Sequence, residues 1–315
     1  MKRMRLLNDL SEFSTAGESL LTIGVFDGVH RGHAHLITEL TSRARTSGVL
    51  AGVITFRNHP ASVLRPDFKP RVLTEFNERS RLIQEIGVDF VAPISFDTDV
   101  AALGAGEFCG LLQEHFGMRG MIVGPDFAMG RDREGTVERV TALGQEMGFS
   151  LTVVQPLFDE AGRAVRSTAV RESLARGDVV DVAKLLGRRF MLKGVVVRGA
   201  ARGAKLGFPT ANLQVGEDLA VPRDGIYATW AVVGGHRFMA ATSVGMRPTF
   251  GEIDRTVEAY LLEFEDDIYD QEVRLEFVER LRDEVKYDTV EELQAQVKID
   301  VAETKRALQA AASSA

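Results

Sequence analysis

The stretch LLTIGVFDGVHRGHAHLITEL, residues 20–40, decides how the first half of the chain folds. Its opening, Leu20–Phe26, is a short apolar run of the kind that forms a strand buried on both faces. Its close begins a helical pattern over His33–Ser47, with Leu36, Ile37, Leu40 and Ala44 on one face. Between the two lie Gly24, Gly28 and Gly32, which permit a close backbone approach. A glycine loop that leaves a strand and opens a helix points amide N–H groups at an anion. His30 and His33 flank Arg31 and Gly32 at that point. Imidazole donors there suit the charge that builds on a departing pyrophosphate. A glycine turn with two surface histidines is the plainer alternative, and His35 reads as structural or exposed.

Outward from this stretch, apolar runs at Val49–Phe56, Val88–Phe96, Gly120–Gly124 and Phe149–Leu157 alternate with amphipathic patterns such as Thr136–Met147. The alternation predicts a parallel sheet with helices on both faces, which binds ligands at the carboxyl ends of its strands. Three more polar segments fall at such ends. TFRNHPASV (55–63) contributes His59. GPDFAMGRDREG (124–135) contributes Asp126, suited to a ribose, a base edge or a metal, with Arg131 and Arg133 suited to phosphate. VRSTAVRE (165–172) contributes Ser167, Thr168 and Arg171, although Ser-Thr before a helix is also an ordinary cap.

After Gly187 the pattern changes. Phe190–Gly199, Tyr227–Val233, Arg237–Gly245, Val257–Phe264 and Glu272–Leu281 read as strands joined by turns, which predicts an antiparallel sheet or small barrel. A final helix is expected over Thr289–Leu308, and Ser167–Gly187 reads as connecting helices. The expected domains are 1–186 and 187–315.

The second domain has its own candidate chemistry. Pro209-Thr210-Ala211-Asn212 offers two hard oxygen ligands on one face of an extended segment, or else a side-chain-capped turn. Glu258 is expected to share a strand face with Tyr260, Leu262 and Phe264, where partial desolvation raises its affinity for a proton. Glu263 falls on the opposite face. Gly199, Gly203 and Gly207, with Arg202 and Lys205 among them, suit a loop that closes over phosphates, or a solvated hairpin. Phe208, Tyr227, Phe250 and Tyr260 are aromatic residues, most of which read as core.

The 315 residues are enough for two domains, and 45% hydrophobic with 26% charged residues fits a folded, water-soluble chain. A net charge of −7 argues against a broad nucleic-acid surface. Cys109 is the single cysteine, which excludes an intrachain disulfide and fits a reducing compartment. No apolar run reaches the roughly 18–20 residues of a membrane span, and the N-terminal segment lacks the apolar centre of a secretory signal. A cytoplasmic protein is expected.

GVFDGVHRGH, GPDFAMG and STAVR together resemble the adenylyltransferase module of bacterial bifunctional riboflavin kinase/FAD synthetases. KLGFPTANL (205–213), VPRDGIYA (221–228), SVGMRPTFG (243–251), TVEAYLLEF (256–264) and RLRDEVKYDTVEEL (280–293) resemble that family's kinase module, in its order. The resemblance spans about residues 20 to 308. It implies a Rossmann-like nucleotidyltransferase domain followed by a six-stranded antiparallel β-barrel with a C-terminal helix. It implies that riboflavin is phosphorylated by ATP to FMN and that FMN is adenylylated to FAD. By the same resemblance His30, His33, Ser167, Thr168 and Arg171 surround the ATP phosphates. Gly24, Phe26, Asp27, Gly28, His59 and Asp126 belong to the nucleotide and FMN pocket. In the kinase module, Gly207, Thr210 and Asn212 bind ATP and flavin, Thr210 and Asn212 hold Mg²⁺, and Glu258 is the catalytic base. Asn58, Arg166 and Asp270 depart from the family's Pro, Ser and Gly. Asn58 is expected to loosen its loop, Arg166 to add a cation beside a phosphate site, and Asp270 to alter its turn. A monofunctional adenylyltransferase with a decayed kinase, and a flavin-sensing protein without catalysis, are the alternatives. Oligomeric state is not legible.

Overall fold

The computed structural model describes residues 4–65, 67, 70–199, 203, 207–249 and 252–313. The chain forms two compact units, Met1–Ser167 and Thr168–Ala315. Arg202, Lys205 and Phe250, singled out above, lie outside the described residues.

The first unit runs α1 (Met4–Glu12), β1 (Ser19–Ile23), α2 (Arg31–Ser47), β2 (Leu50–Phe56), α3 (Pro60–Leu64), α4 (Phe76–Glu85), β3 (Phe90–Ile94), α5 (Thr98–Ala101) and α6 (Ala105–Phe116). It continues with β4 (Met118–Val123), the short pair β5 (Ala128–Met129) and β6 (Gly135–Thr136), α7 (Val137–Met147) and β7 (Ser150–Val153). The main sheet has the order β3-β2-β1-β4-β7, and all its neighbours are parallel. Neighbouring residues on a strand enter different cores, as the twofold period of a strand requires. Ile54, Ala92 and Met121 pack with α1, α6 and α7. Val53, Val91 and Ile122 pack with α2 and α4 on the other face. Chain order reverses between β1 and β4, so the crevice for a ligand opens at their carboxyl ends.

The apolar run Leu20–Phe26 is longer than its strand. β1 stops at Ile23, because Phe26 takes a left-handed φ of 51° and turns the chain off the sheet. Likewise β7 ends at Val153, four residues short of the run that suggested it.

The second unit contains most of α8 (Ser167–Arg176), then α9 (Val179–Leu186), β8 (Phe190–Val197), β9 (Ala211–Val215), β10 (Gly225–Val233), β11 (His236–Thr249), β12 (Glu252–Leu261), β13 (Glu272–Arg282) and α10 (Val290–Ser313). Strands β10-β11-β12-β9-β8-β13 close into a barrel. Tyr227, Phe190 and Phe277 are fully buried and pack ring against ring. Helix α10 is anchored to the barrel by a bidentate ion pair from Arg282 to the buried Asp300, at 2.7 and 2.6 Å.

Two sequence expectations are corrected here. Ala211–Val215 is a full barrel strand rather than only an extended ligand segment. Strand β12 ends at Leu261 because Glu263 adopts φ 58°, so Leu262 and Phe264 do not continue the face of Glu258 and Tyr260. Asp270 adopts φ 61°, a left-handed conformation that aspartate tolerates better than most residues. No helix among the described residues is long and apolar enough to cross a membrane.

Candidate active sites

The loop between β1 and α2 is held by its own residues. His30 is buried and caps α2, its Nδ1 accepting from the His33 backbone N–H at 3.2 Å. With Nδ1 accepting, a neutral His30 carries its proton on Nε2 and is a donor there. The His30 and His33 rings stack, with centroids 3.6 Å apart and planes 20° apart. Phe26 meets His33 edge-on at 5.2 Å. Burial first, then His30 and the charge of Arg79, hold the His33 pKa well below the ordinary 6.5. Its Nδ1 is shielded from solvent and has no hydrogen-bond partner among the described residues.

Glycine is required at position 32. A Cβ there would stand 2.4 Å from the Val165 carbonyl oxygen and 3.1 Å from the His30 ring. Val29 adopts φ 38°, an uncommon conformation for a β-branched residue. Strain of that kind gathers at functional sites.

The predicted partners of this loop take different places. Asp27 is buried, and its carboxylate accepts from the backbone N–H groups of Leu73, at 2.9 and 3.0 Å, and Thr74, at 3.3 Å. Ser167 Oγ donates to the Asp27 carbonyl at 2.9 Å, which brings Ser167 to the glycine loop. His59 caps α3 through Nδ1. Asp126, after β4, is largely exposed and pairs with Arg166 at 3.2 Å, so the added cation engages a residue of the expected pocket. Thr168 and Arg171 lie in the first turns of α8. Asn58 does not loosen its loop: its amide donates to and accepts from the Phe96 backbone at 2.8 and 2.9 Å, tying the ends of β2 and β3 together.

Sequence reasoning missed Arg79. It is buried on α4, donates to the Phe56 carbonyl oxygen, and lies over the Phe76 ring. The available signal was a charged residue on the apolar face it shares with Leu82 and Ile83.

In the second unit the register of β12 and β9 sets Glu258 opposite Asn212. Thr210 Oγ1 lies 3.3 Å from Glu258 Oε2, and Asn212 Nδ2 lies 3.4 Å from the Thr210 carbonyl oxygen. All three side chains are partly buried. A Cβ on Gly199 would stand 2.4 Å from the Asn212 amide, and one on Gly203 would stand 2.4 Å from the Phe208 carbonyl oxygen. Gly207 has a left-handed φ of 85°. The Cβ position on Gly203 is also 3.3 Å from Thr210 Oγ1, so backbone passes close to both Asn212 and Thr210. Beside Thr210 is an open cavity of about 260 Å³, lined in part by Leu261, Asp267 and Tyr269. Phe208 and Tyr260 meet edge-on, with ring centroids 5.5 Å apart, whereas Tyr227 is core.

No group of three His, Cys, Asp or Glu residues suited to a metal occurs among the described residues. The donors here are instead a hydroxyl, an amide and one carboxylate, all oxygen ligands. That set fits a hard divalent cation that keeps water and phosphate in its shell.

Comparison with known proteins gives the same two-part division. The FAD synthetase family model matches residues 13–169, and the riboflavin kinase family model matches residues 186–308. The bifunctional riboflavin kinase/FMN adenylyltransferase of Escherichia coli K12 is 35% identical over 286 residues, 90% of each chain. The enzyme of that name from Bacillus subtilis is 30% identical, covering 85% of each. A crystal structure from Streptococcus pneumoniae, described as a macrolide-efflux protein, superposes with a TM-score of 0.87 at 30% identity, covering 96% of this chain and 97% of that one.

Proposed function

Because the chain belongs to the bifunctional riboflavin kinase/FMN adenylyltransferase family, we propose that it converts riboflavin to FMN and FMN to FAD, with ATP consumed in both steps. The observation that carries this reading is the Thr210–Asn212–Glu258 group in the barrel, intact in a chain that also has the His30–His33 loop. A decayed kinase would have no reason to keep it. We take 1–186 and 187–315 as the functional division, and the cytoplasm as the place of action.

For the first reaction in the pathway, Glu258 accepts the proton of the riboflavin ribityl hydroxyl as that hydroxyl's oxygen attacks the γ-phosphorus of ATP, the bond from that phosphorus to the bridging oxygen breaks, and ADP leaves. Thr210 and Asn212 would hold Mg²⁺, which supplies charge neutralisation on the phosphates when bound. The Thr210 hydroxyl, turned toward Glu258, keeps its lone pairs for that cation while steadying the base. For the second reaction, an FMN phosphate oxygen attacks the α-phosphorus of ATP and pyrophosphate leaves. His30 Nε2–H and the amides opening α2 stabilise the charge on the leaving group. Asp27 holds the 73–74 backbone, and Ser167 fastens its segment to the glycine loop.

Incubating the purified protein with riboflavin and MgATP, with flavins separated over time, tests the reading. FMN followed by FAD is expected. FAD from added FMN, with no FMN from riboflavin, would leave a monofunctional adenylyltransferase. Neither product from a folded, flavin-binding protein would leave a sensor.

A further inference from the structure

Among the described residues, Arg79 is a buried cation without an ion pair. It is 3% exposed, and its Nε has no hydrogen-bond partner among them. Its hydrogen bond is to a neutral acceptor, the Phe56 carbonyl oxygen at the carboxyl end of β2, and its other neighbour of note is the Phe76 ring at 5.5 Å. Asp27 is close enough to favour the charge, yet that carboxylate is engaged by the Leu73 and Thr74 amides, and burial outweighs it. A buried guanidinium with an unmet donor is costly in the ligand-free protein. The second shielded, unpartnered nitrogen nearby is His33 Nδ1, whose ring feels the charge of Arg79. Both orphaned groups belong to the carboxyl edge of the sheet, at the histidine loop.

We infer that Arg79 is a positioning residue for FMN adenylylation: a cation buried beside the histidine loop, left under-compensated by the protein and balanced by the polyphosphate of the nucleotide. It acts through the field at the loop and through the placement of His33, without a place in the reaction's bond changes. The inference rests on the adenylyltransferase reading above. A structural arginine would favour the empty protein, whereas this one favours the occupied site at the expense of the empty one.

The test uses the full chain with Arg79→Met, Arg79→Gln and Arg79→Lys. It measures the KM for ATP in FAD formation at saturating FMN, riboflavin phosphorylation as an internal control, and the urea midpoint of the ligand-free protein. Glutamine keeps a donor for Phe56 without the charge, and serves if the methionine variant does not fold. The neutral variants are expected to raise the ATP KM by about ten- to a hundredfold. They should leave phosphorylation unchanged and the ligand-free midpoint equal or higher, with lysine restoring most of the loss. An unchanged ATP KM, or a KM loss tracking a lowered midpoint and not restored by lysine, would overturn the inference. A wild-type chain that makes no FAD would overturn the adenylyltransferase reading itself, a distinct result.

Discussion

Glu258 and Asn212 are cross-strand partners on β12 and β9, and Thr210, two residues before Asn212, has its hydroxyl 3.3 Å from the Glu258 carboxylate. The register of the barrel thus sets the proposed base beside the two proposed cation ligands. Glu258→Gln keeps the size and the contact with Thr210 but removes the basic oxygen. Riboflavin phosphorylation is expected to fall by about 10²–10⁴, while FAD formation from supplied FMN continues. Chromatographic assay of each half-reaction separates the two outcomes; equal loss of both would contradict independent sites.

His30 and His33 are stacked in a loop whose capping bond fixes the tautomer of His30. His30→Ala should lower FAD formation by about 10²–10³ and spare the kinase. His30→Asn, which can still cap the helix, should recover stability in a thermal melt without recovering the rate. Recovery of the rate as well would mean that His30 serves only as a cap.

The depressed pKa of His33 gives a pH signature. The unfolded chain protonates near 6.5, and the folded chain only at lower pH. The unfolded state therefore holds more protons between those values, so stability is fully present above 6.5 and declines as pH falls from there through the folded pKa. The ring should show no proton-NMR titration from pH 8 to 6.5, and His33→Gln should flatten the stability profile below 6.5. A midpoint near 6.5 in the folded protein would refute this.

Gly32→Ala tests the close approach of Val165 to the loop. The Cβ would sit 2.4 Å from a backbone oxygen, which no rotamer change relieves. A destabilisation of about 1–3 kcal/mol is expected, with FAD formation lost ahead of the melt because the His30 ring lies on the same path. Denaturant titration alongside the half-reaction assays reads both.

Much of this was legible in the residues. Strands β1 to β4 are mostly apolar and buried at most positions, the mark of a sheet covered on both faces, and the polar motifs sit where its carboxyl ends must be. What stayed hidden depends on partners distant in sequence. Strand β9 has five residues between a glycine-proline stretch and a turn, and only β8 and β12 make it a strand. Asn58 looked like a loosened proline because its clasp, Phe96, lies 38 residues away. Arg79 carried a signal, a charge on an apolar helix face, but its meaning came from Asp27 and His33, which reach it only in the fold.

The backbone at Val29 has a consequence for how the enzyme can be improved. A β-branched residue at φ 38° withholds about 1–3 kcal/mol from the folded state, yet Val29 is buried in the core beneath the loop, so glycine there would relieve the strain and lose the burial together. It would also let the histidine loop wander among conformations that no longer aim His30. A directed-evolution campaign scored on heat tolerance alone would register little at this position and let the change pass. It would return proteins that melt much as before yet accumulate FMN and make little FAD, with the bottleneck moved from one half of the pathway to the other.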